Sequence, residues 1–189
     1  MFTIKENKTY EYTINKSVFI TKLYKINDVN LVKNILDDLR KEYKDATHYC
    51  YAYVIDDNKK SSDDGEPGGT AGVPIMDVLN KANLNNVLCV VVRYFGGIKL
   101  GAGGLIRAYR KAVSDCISES ELLEQVEGYH IVLEVAYDKQ KELDYLLKDN
   151  YKKEYNDNVI YDIKCDDKLK EILENKYPIK SIENIVIEK

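Results

Sequence analysis

Val87-Leu88-Cys89-Val90-Val91-Val92-Arg93-Tyr94-Phe95-Gly96-Gly97-Ile98-Lys99-Leu100-Gly101-Ala102-Gly103-Gly104-Leu105-Ile106-Arg107 is the stretch on which the fold turns. Residues 87–92 form an unbroken apolar run rich in β-branched valine, which suits a strand buried on both faces. From Leu105 the period changes: Leu105, Tyr109, Ala112, Val113 and Cys116 recur at helical spacing and predict a helix over 105–117. Gly96, Gly97, Gly101, Gly103 and Gly104 fill the connection. A buried strand joined by a short glycine-rich link to an amphipathic helix is the unit of a sheet with helices packed on it.

Working outward from there, residues 9–14 and 18–24 read as strands around a polar Asn15-Lys16-Ser17 turn. Asn27 or Asp28 caps a helix whose Val29, Val32, Ile35, Leu36, Leu39 and Tyr43 share one face. Residues 48–55 read as a strand and 71–82 as a short helix. The order ββαβαβα makes an α+β domain, with its sheet expected to be covered by helices on one face. Downstream, 129–135, 151–155, 159–163 and 182–187 read as strands. They alternate with a helix over 138–148 and one capped by Asp166 or Asp167 and ended by Pro178. That order, βαββαβ, is the ferredoxin-like split fold. All ten glycines fall between Gly65 and Gly128, nine of them by Gly104, and this shift puts a boundary near 122–128. The expectation is two domains, 1–124 and 125–189.

Lys and Arg number 28 against 32 Asp and Glu, a formal charge of −4, so a polybasic chain is excluded and any basic surface must be local. Residues 1–19 hold no apolar signal core and no window approaches a membrane span, so the chain reads as soluble and cytoplasmic with no membrane partner. Cys50, Cys89, Cys116 and Cys165 form no C-x-x-C pair, and only His48 and His130 stand beside them. Buried reduced thiols are expected, with no metal site and no cofactor.

The local basic surface is found between residues 78 and 114, where Lys81, Arg93, Lys99, Arg107, Arg110 and Lys111 occur without one Asp or Glu. A glycine-rich link that opens a helix can bring backbone N–H groups and the helix dipole to a phosphate. Arg93, Lys99, Arg107, Arg110 and Lys111 are therefore expected to contact phosphates, with Gly96, Gly97, Gly101, Gly103 and Gly104 letting backbone approach them. Neither the Walker A nor the G-x-G-x-x-G spacing is met. Asp63-Asp64-Gly65-Glu66-Pro67-Gly68-Gly69-Thr70-Ala71-Gly72 reads as a solvated acidic loop; the competing reading gives its carboxylates a magnesium ion or acid–base work. His48, Asp63, Asp64 and Glu66 are the candidates there. Tyr49, Tyr51 and Tyr53 share one strand face, which either stacks on bases or packs against a protein surface.

Asp45-Ala46-Thr47-His48, Cys50-Tyr51-Ala52-Tyr53, Asp63-Asp64-Gly65-Glu66-Pro67, Gly69-Thr70-Ala71-Gly72 and the run from Arg93 to Tyr109 together resemble the YigZ/IMPACT family over residues 1–124. The remainder resembles the carboxy-terminal domain of the bacterial YigZ branch. The resemblance implies a first domain with the fold of the second domain of a small-subunit ribosomal protein, and a second similar to the last domain of elongation factor G. Both point toward translation. The leading expectation is a non-catalytic RNA- or ribosome-associated module. The first alternative is a small-molecule kinase-like enzyme, with Gly101 to Gly104 on a nucleotide and Asp63, Asp64 or Glu66 on magnesium. The second is a regulator with a protein partner.

Overall fold

In the computed structural model, which describes residues 1–148 and 151–189, a first unit spans Met1–Leu123. It runs through β1 (Phe2–Ile4), β2 (Lys8–Ile14), β3 (Ser17–Lys25), α1 (Leu31–Glu42), β4 (His48–Ile55), β5 (Asn58–Ser62), α2 (Gly72–Lys81), β6 (Val87–Tyr94) and α3 (Gly101–Ser118). Asn15 and Lys16, both at positive φ, make the two-residue turn that brings Ser17 opposite Ile14, the geometry that matches strand twist. Asp28 accepts the Asn30 N–H at 2.8 Å just before α1, and Arg40 and Lys41 in its last turn suit the helix dipole.

β6 is the valine-rich strand, and it sits at the centre of a sheet ordered β2-β3-β6-β4-β5 whose neighbours are all antiparallel. On one face Cys50, Ala52, Val54, Cys89 and Val91 pack against Ile75 and Leu79 of α2 and Leu105, Ala108, Tyr109, Ala112 and Val113 of α3. On the other, Tyr49, Tyr53, Ile55, Leu88, Val90 and Val92 pack against Val32, Leu36 and Leu39 of α1. The expectation of helices on one face is thus corrected to helices on both, because a central strand apolar on both sides exposes one side to water unless each is covered. The same cover closes the tyrosine face. Tyr49 and Tyr53 are buried beneath α1, so they are not free to stack on bases.

The second unit, Glu124–Lys189, takes most of β7 (Leu122–Val135), then α4 (Gln140–Leu147), β8 (Tyr151–Tyr155), β9 (Val159–Cys165), α5 (Asp167–Lys176) and β10 (Ile179–Glu188). Its sheet order is β10-β7-β9-β8 with every neighbour antiparallel, the arrangement of the ferredoxin-like split fold. Ile131, Leu133, Leu143, Leu147, Tyr161, Ile163 and Leu173 fill its core. Asp166 is the residue that caps α5, accepting the Leu169 N–H at 3.1 Å. All four cysteines are free and buried, and burial pushes the Cys116 thiol up to about 12 and that of Cys165 to about 11.

Candidate phosphate-binding surface

Arg93 ends the buried strand β6, so its long side chain starts from the interior of the sheet. Its guanidinium stays there. Nη1 donates to Glu66 Oε1 at 2.5 Å, Nη2 reaches Ser17 Oγ at 3.4 Å, and the plane lies between the rings of Phe19 and Phe95. The Tyr109 hydroxyl donates to the same Glu66 oxygen at 2.8 Å, and Cys50 Sγ lies 3.2 Å from that hydroxyl. Burial holds both the Cys50 thiol and the Tyr109 phenol well above their ordinary ranges, so both stay protonated. The expected phosphate contact by Arg93 is therefore corrected: with 4% of its surface exposed, it is a core cation paired to Glu66.

The acidic loop is corrected in the same way. Asp63 Oδ1 accepts the N–H groups of Ala71 at 3.0 Å and Gly72 at 2.8 Å, and Oδ2 that of Gly69 at 2.8 Å. α2 has no cap from its own boundary residue, and Asp63 supplies one from across the loop. Burial raises the Asp63 pKa, but those three N–H groups together outweigh it and hold the carboxyl below its ordinary range. Asp64 Oδ2 accepts the Tyr49 N–H at 2.6 Å, while Oδ1 meets Arg40 at 3.3 Å. His48 Nδ1 lies 2.8 Å from the Asp64 carbonyl oxygen, and its Nε2 is 3.8 Å from Glu66. The loop is a folded plug over the end of the β4–β5 ladder. Its carboxylates serve backbone donors, Arg40, Arg93 and Tyr109, so the magnesium arrangement of the kinase-like reading would have to break these bonds first.

The remaining candidates lie on the surface. Gly101, Ala102, Gly103 and Gly104 turn out to be the first turn of α3, which begins four residues before the apolar stripe predicts. Among the described residues, that turn has no side-chain cap from its boundary residue and no acidic residue of its own. A Cβ built on Gly103 would lie 3.5 Å from Arg107 Nη1, which shows the guanidinium leaning back over this turn, as the backward tilt of helical side chains favours. Lys99 is exposed on the approach to the helix, and among the described residues neither it nor Arg107 has an ion-pair partner. Phe95 and Ile98 beside them are nearly half exposed. Gly97, at positive φ, shapes the same link, whereas Gly96 is pressed against the backbone of Lys16 and Ser17.

Arg110 and Lys111 are exposed as expected, but not unopposed. Arg110 Nη2 meets Asp77 at 2.6 Å and Lys111 Nζ meets Asp115 at 2.8 Å. Asp77 and Asp115 are the residues that bracket the acid-free stretch in sequence, and each folds back onto it. Among the described residues of this stretch, the cations without an ion-pair partner are Lys81 at the end of α2, beside Arg110 and Lys111, and Lys99 and Arg107 near the first turn of α3.

A model described as the Impact N-terminal domain matches residues 15–117, more than half of the chain. The chain belongs to the IMPACT family. It is 47% identical over 127 residues to the IMPACT family member YvyE of Bacillus subtilis (strain 168), covering 66% of this chain and 58% of that protein. To the IMPACT family member YigZ of Escherichia coli (strain K12) it is 42% identical over 111 residues, covering 56% and 54%. The chain thus spans little more than half the length of these relatives. A solved structure described as that of a hypothetical protein superposes with a TM-score of 0.64 at 28% identity, over 100% of this chain and 97% of the other.

The matched IMPACT region contains both the surface around α3 and the buried cluster. Sequence reasoning missed Ser17, Cys50 and Tyr109 as members of that cluster. One signal was available for Tyr109: a tyrosine in the apolar stripe of a helix buries a hydroxyl, which needs a partner. Nothing in the sequence pairs it with Glu66.

Proposed function

We propose that this chain is a non-catalytic RNA- or ribosome-associated module of the cytoplasm that acts in the regulation of translation. The observation that carries the reading is Arg107 leaning back along the first turn of α3, a turn with no cap from its boundary residue and no acidic residue of its own. Such a turn binds a phosphate oxygen through the helix dipole and directed donors. Lys99 on the same approach adds a second positive charge, and the exposed Phe95 ring offers a face on which an adjacent base stacks. A nucleic-acid strand presents both groups in alternation, whereas a free phosphate ligand has no use for the ring. Arg110 and Lys111 extend the surface along α3 with their charge partly met by Asp77 and Asp115. Among the described residues no helix is long and apolar enough to cross a membrane.

Affinity capture from a lysate, with and without ribonuclease, tests this. Ribosomal RNA is expected with the tagged chain only when nuclease is omitted, and Lys99→Ala with Arg107→Ala is expected to lose it. Recovery unchanged by nuclease and by the double substitution would leave a protein partner as the better reading.

A further inference from the structure

Phe95 is 46% exposed, yet its backbone is pinned on both sides. Its N–H donates to Thr47 Oγ1 at 3.1 Å, and the Thr47 N–H donates in turn to the Arg93 carbonyl oxygen at 2.8 Å. The Gly96 N–H reaches Ser17 Oγ at 3.2 Å, the same hydroxyl that meets Arg93 Nη2. Arg93 and Phe95 stand two apart at the end of β6, so both side chains turn to one side of the sheet, the side of Phe19 that α2 and α3 cover. There the Arg93 guanidinium is held between two rings, with Cζ 5.3 Å from the Phe19 centroid and 5.6 Å from that of Phe95. Glu66 fixes the guanidinium from within. The inner face of Phe95 therefore rests on an immobile cation, and what it shows to water is its outer face and edge. A large apolar ring left in water on so rigid a mount adds little to the core and is pre-organised to receive a flat ligand group.

We propose that the RNA partner presents an unpaired base to the outer face of Phe95, and that Thr47 is the residue that positions the ring for it. The proposal rests on the RNA reading of the α3 surface and narrows it to a single-stranded segment. In a duplex both faces of every internal base are covered by its neighbours, so only a base out of the stack reaches a protein ring. The cation behind Phe95 draws the electron density of the ring inward, which leaves the outer face a better partner for the electron-rich face of a base. Among the described residues Lys99 and Arg107 have no ion-pair partner, and the phosphates flanking a stacked base bring them one. An apolar side chain of a protein partner would cover the ring but bring no negative charge to those cations. Thr47 acts through the backbone: without its hydroxyl the Phe95 N–H loses its acceptor, and the turn that aims the ring loosens.

Fluorescence anisotropy of the full chain with two labelled probes separates this proposal from the reading beneath it. One is an unstructured single-stranded RNA about 10 nucleotides long, and the other a strand of the same length with abasic spacers in place of nucleosides. The wild-type chain is expected to bind the base-bearing strand roughly 10-fold tighter. Phe95→Ala should bring that strand down to the abasic level with its salt slope unchanged, Phe95→Trp should keep the difference, and Arg107→Ala should weaken both probes alike. Thr47→Val should lose roughly 3-fold on the base-bearing strand alone, and Thr47→Ser, which keeps the hydroxyl, should restore it. Melting curves check that each variant is folded, and the comparison of the two strands on the wild-type chain needs no variant. Equal, salt-dependent binding of the two strands by that chain would overturn the stacked base and leave the phosphate contacts standing. Binding of neither strand would remove both. Equal losses in Thr47→Ser and Thr47→Val, or a loss shared by the abasic strand, would take the positioning role from Thr47.

Discussion

The Glu66 carboxylate meets the Arg93 guanidinium at 2.5 Å with both side chains closed off from water, 2% and 5% exposed. Buried pairs of this kind are weak sources of net stability, yet breaking one strands an uncompensated charge. Glu66→Gln is therefore expected to destabilise the first unit by about 3 kcal/mol or more. Arg93→Met combined with Glu66→Leu should cost less than either Arg93→Met or Glu66→Gln alone, since it leaves no charge behind. Urea unfolding of the three variants checks this, and a double variant as damaged as the sum of its parts would show that the pair is needed for shape as well as charge.

Asp63 makes a second prediction with a defined pH dependence. Asp63→Ala removes the acceptor of three backbone N–H groups at the start of α2, and a loss of about 2 kcal/mol is expected. The folded state holds this carboxyl below its unfolded pKa, so its charge contributes stability that is complete above about pH 4 and is lost as pH falls through the folded value. The stability gap between wild type and Asp63→Asn should accordingly narrow as the medium is acidified below that point. A gap that widened on acidification would contradict the assignment.

Two glycines of the same link should respond in opposite ways. A Cβ on Gly96 would stand 2.0 Å from the Lys16 carbonyl carbon and 2.4 Å from the Ser17 nitrogen, and neither backbone atom can rotate aside. Gly96→Ala should open the β3–β6 end and lower the melting temperature by roughly 10 °C or prevent folding. Gly103→Ala meets only the flexible tip of Arg107, at 3.5 Å, and replaces glycine within a helix. It is expected to be neutral or to stabilise by up to about 1 kcal/mol. Thermal melts of the two variants decide the matter.

The strands with apolar alternation and the helices with a clear stripe were legible in the sequence, because burial writes both patterns directly. Val87 to Val92, the α1 stripe and the βαββαβ order of the second unit are instances. β5 was not, since Asn58-Lys59-Lys60-Ser61-Ser62 is an edge strand whose polar residues guard it and give no period. The first turn of α3 was hidden by glycines that ordinarily disfavour helix. Among site residues, Lys99 and Arg107 stand where composition placed them, on the surface. Arg93, Asp63, Asp64 and Glu66 do not, because a charged residue reads as solvated until the fold shows a partner for it. Local charge counting failed at Arg110 and Lys111 for a related reason: Asp77 reaches Arg110 from a different helix.

Fluorescence anisotropy of a labelled single-stranded RNA, titrated with the full chain at several salt concentrations, tests the central claim most directly. With Lys99 and Arg107 each neutralising one phosphate, the log–log slope of affinity against salt should be about −1.4, and Arg107→Ala should weaken binding and make the slope shallower by about 0.7 without altering stability. Binding that ignores salt, or an Arg107→Ala variant that binds with unchanged affinity and slope, would contradict the account.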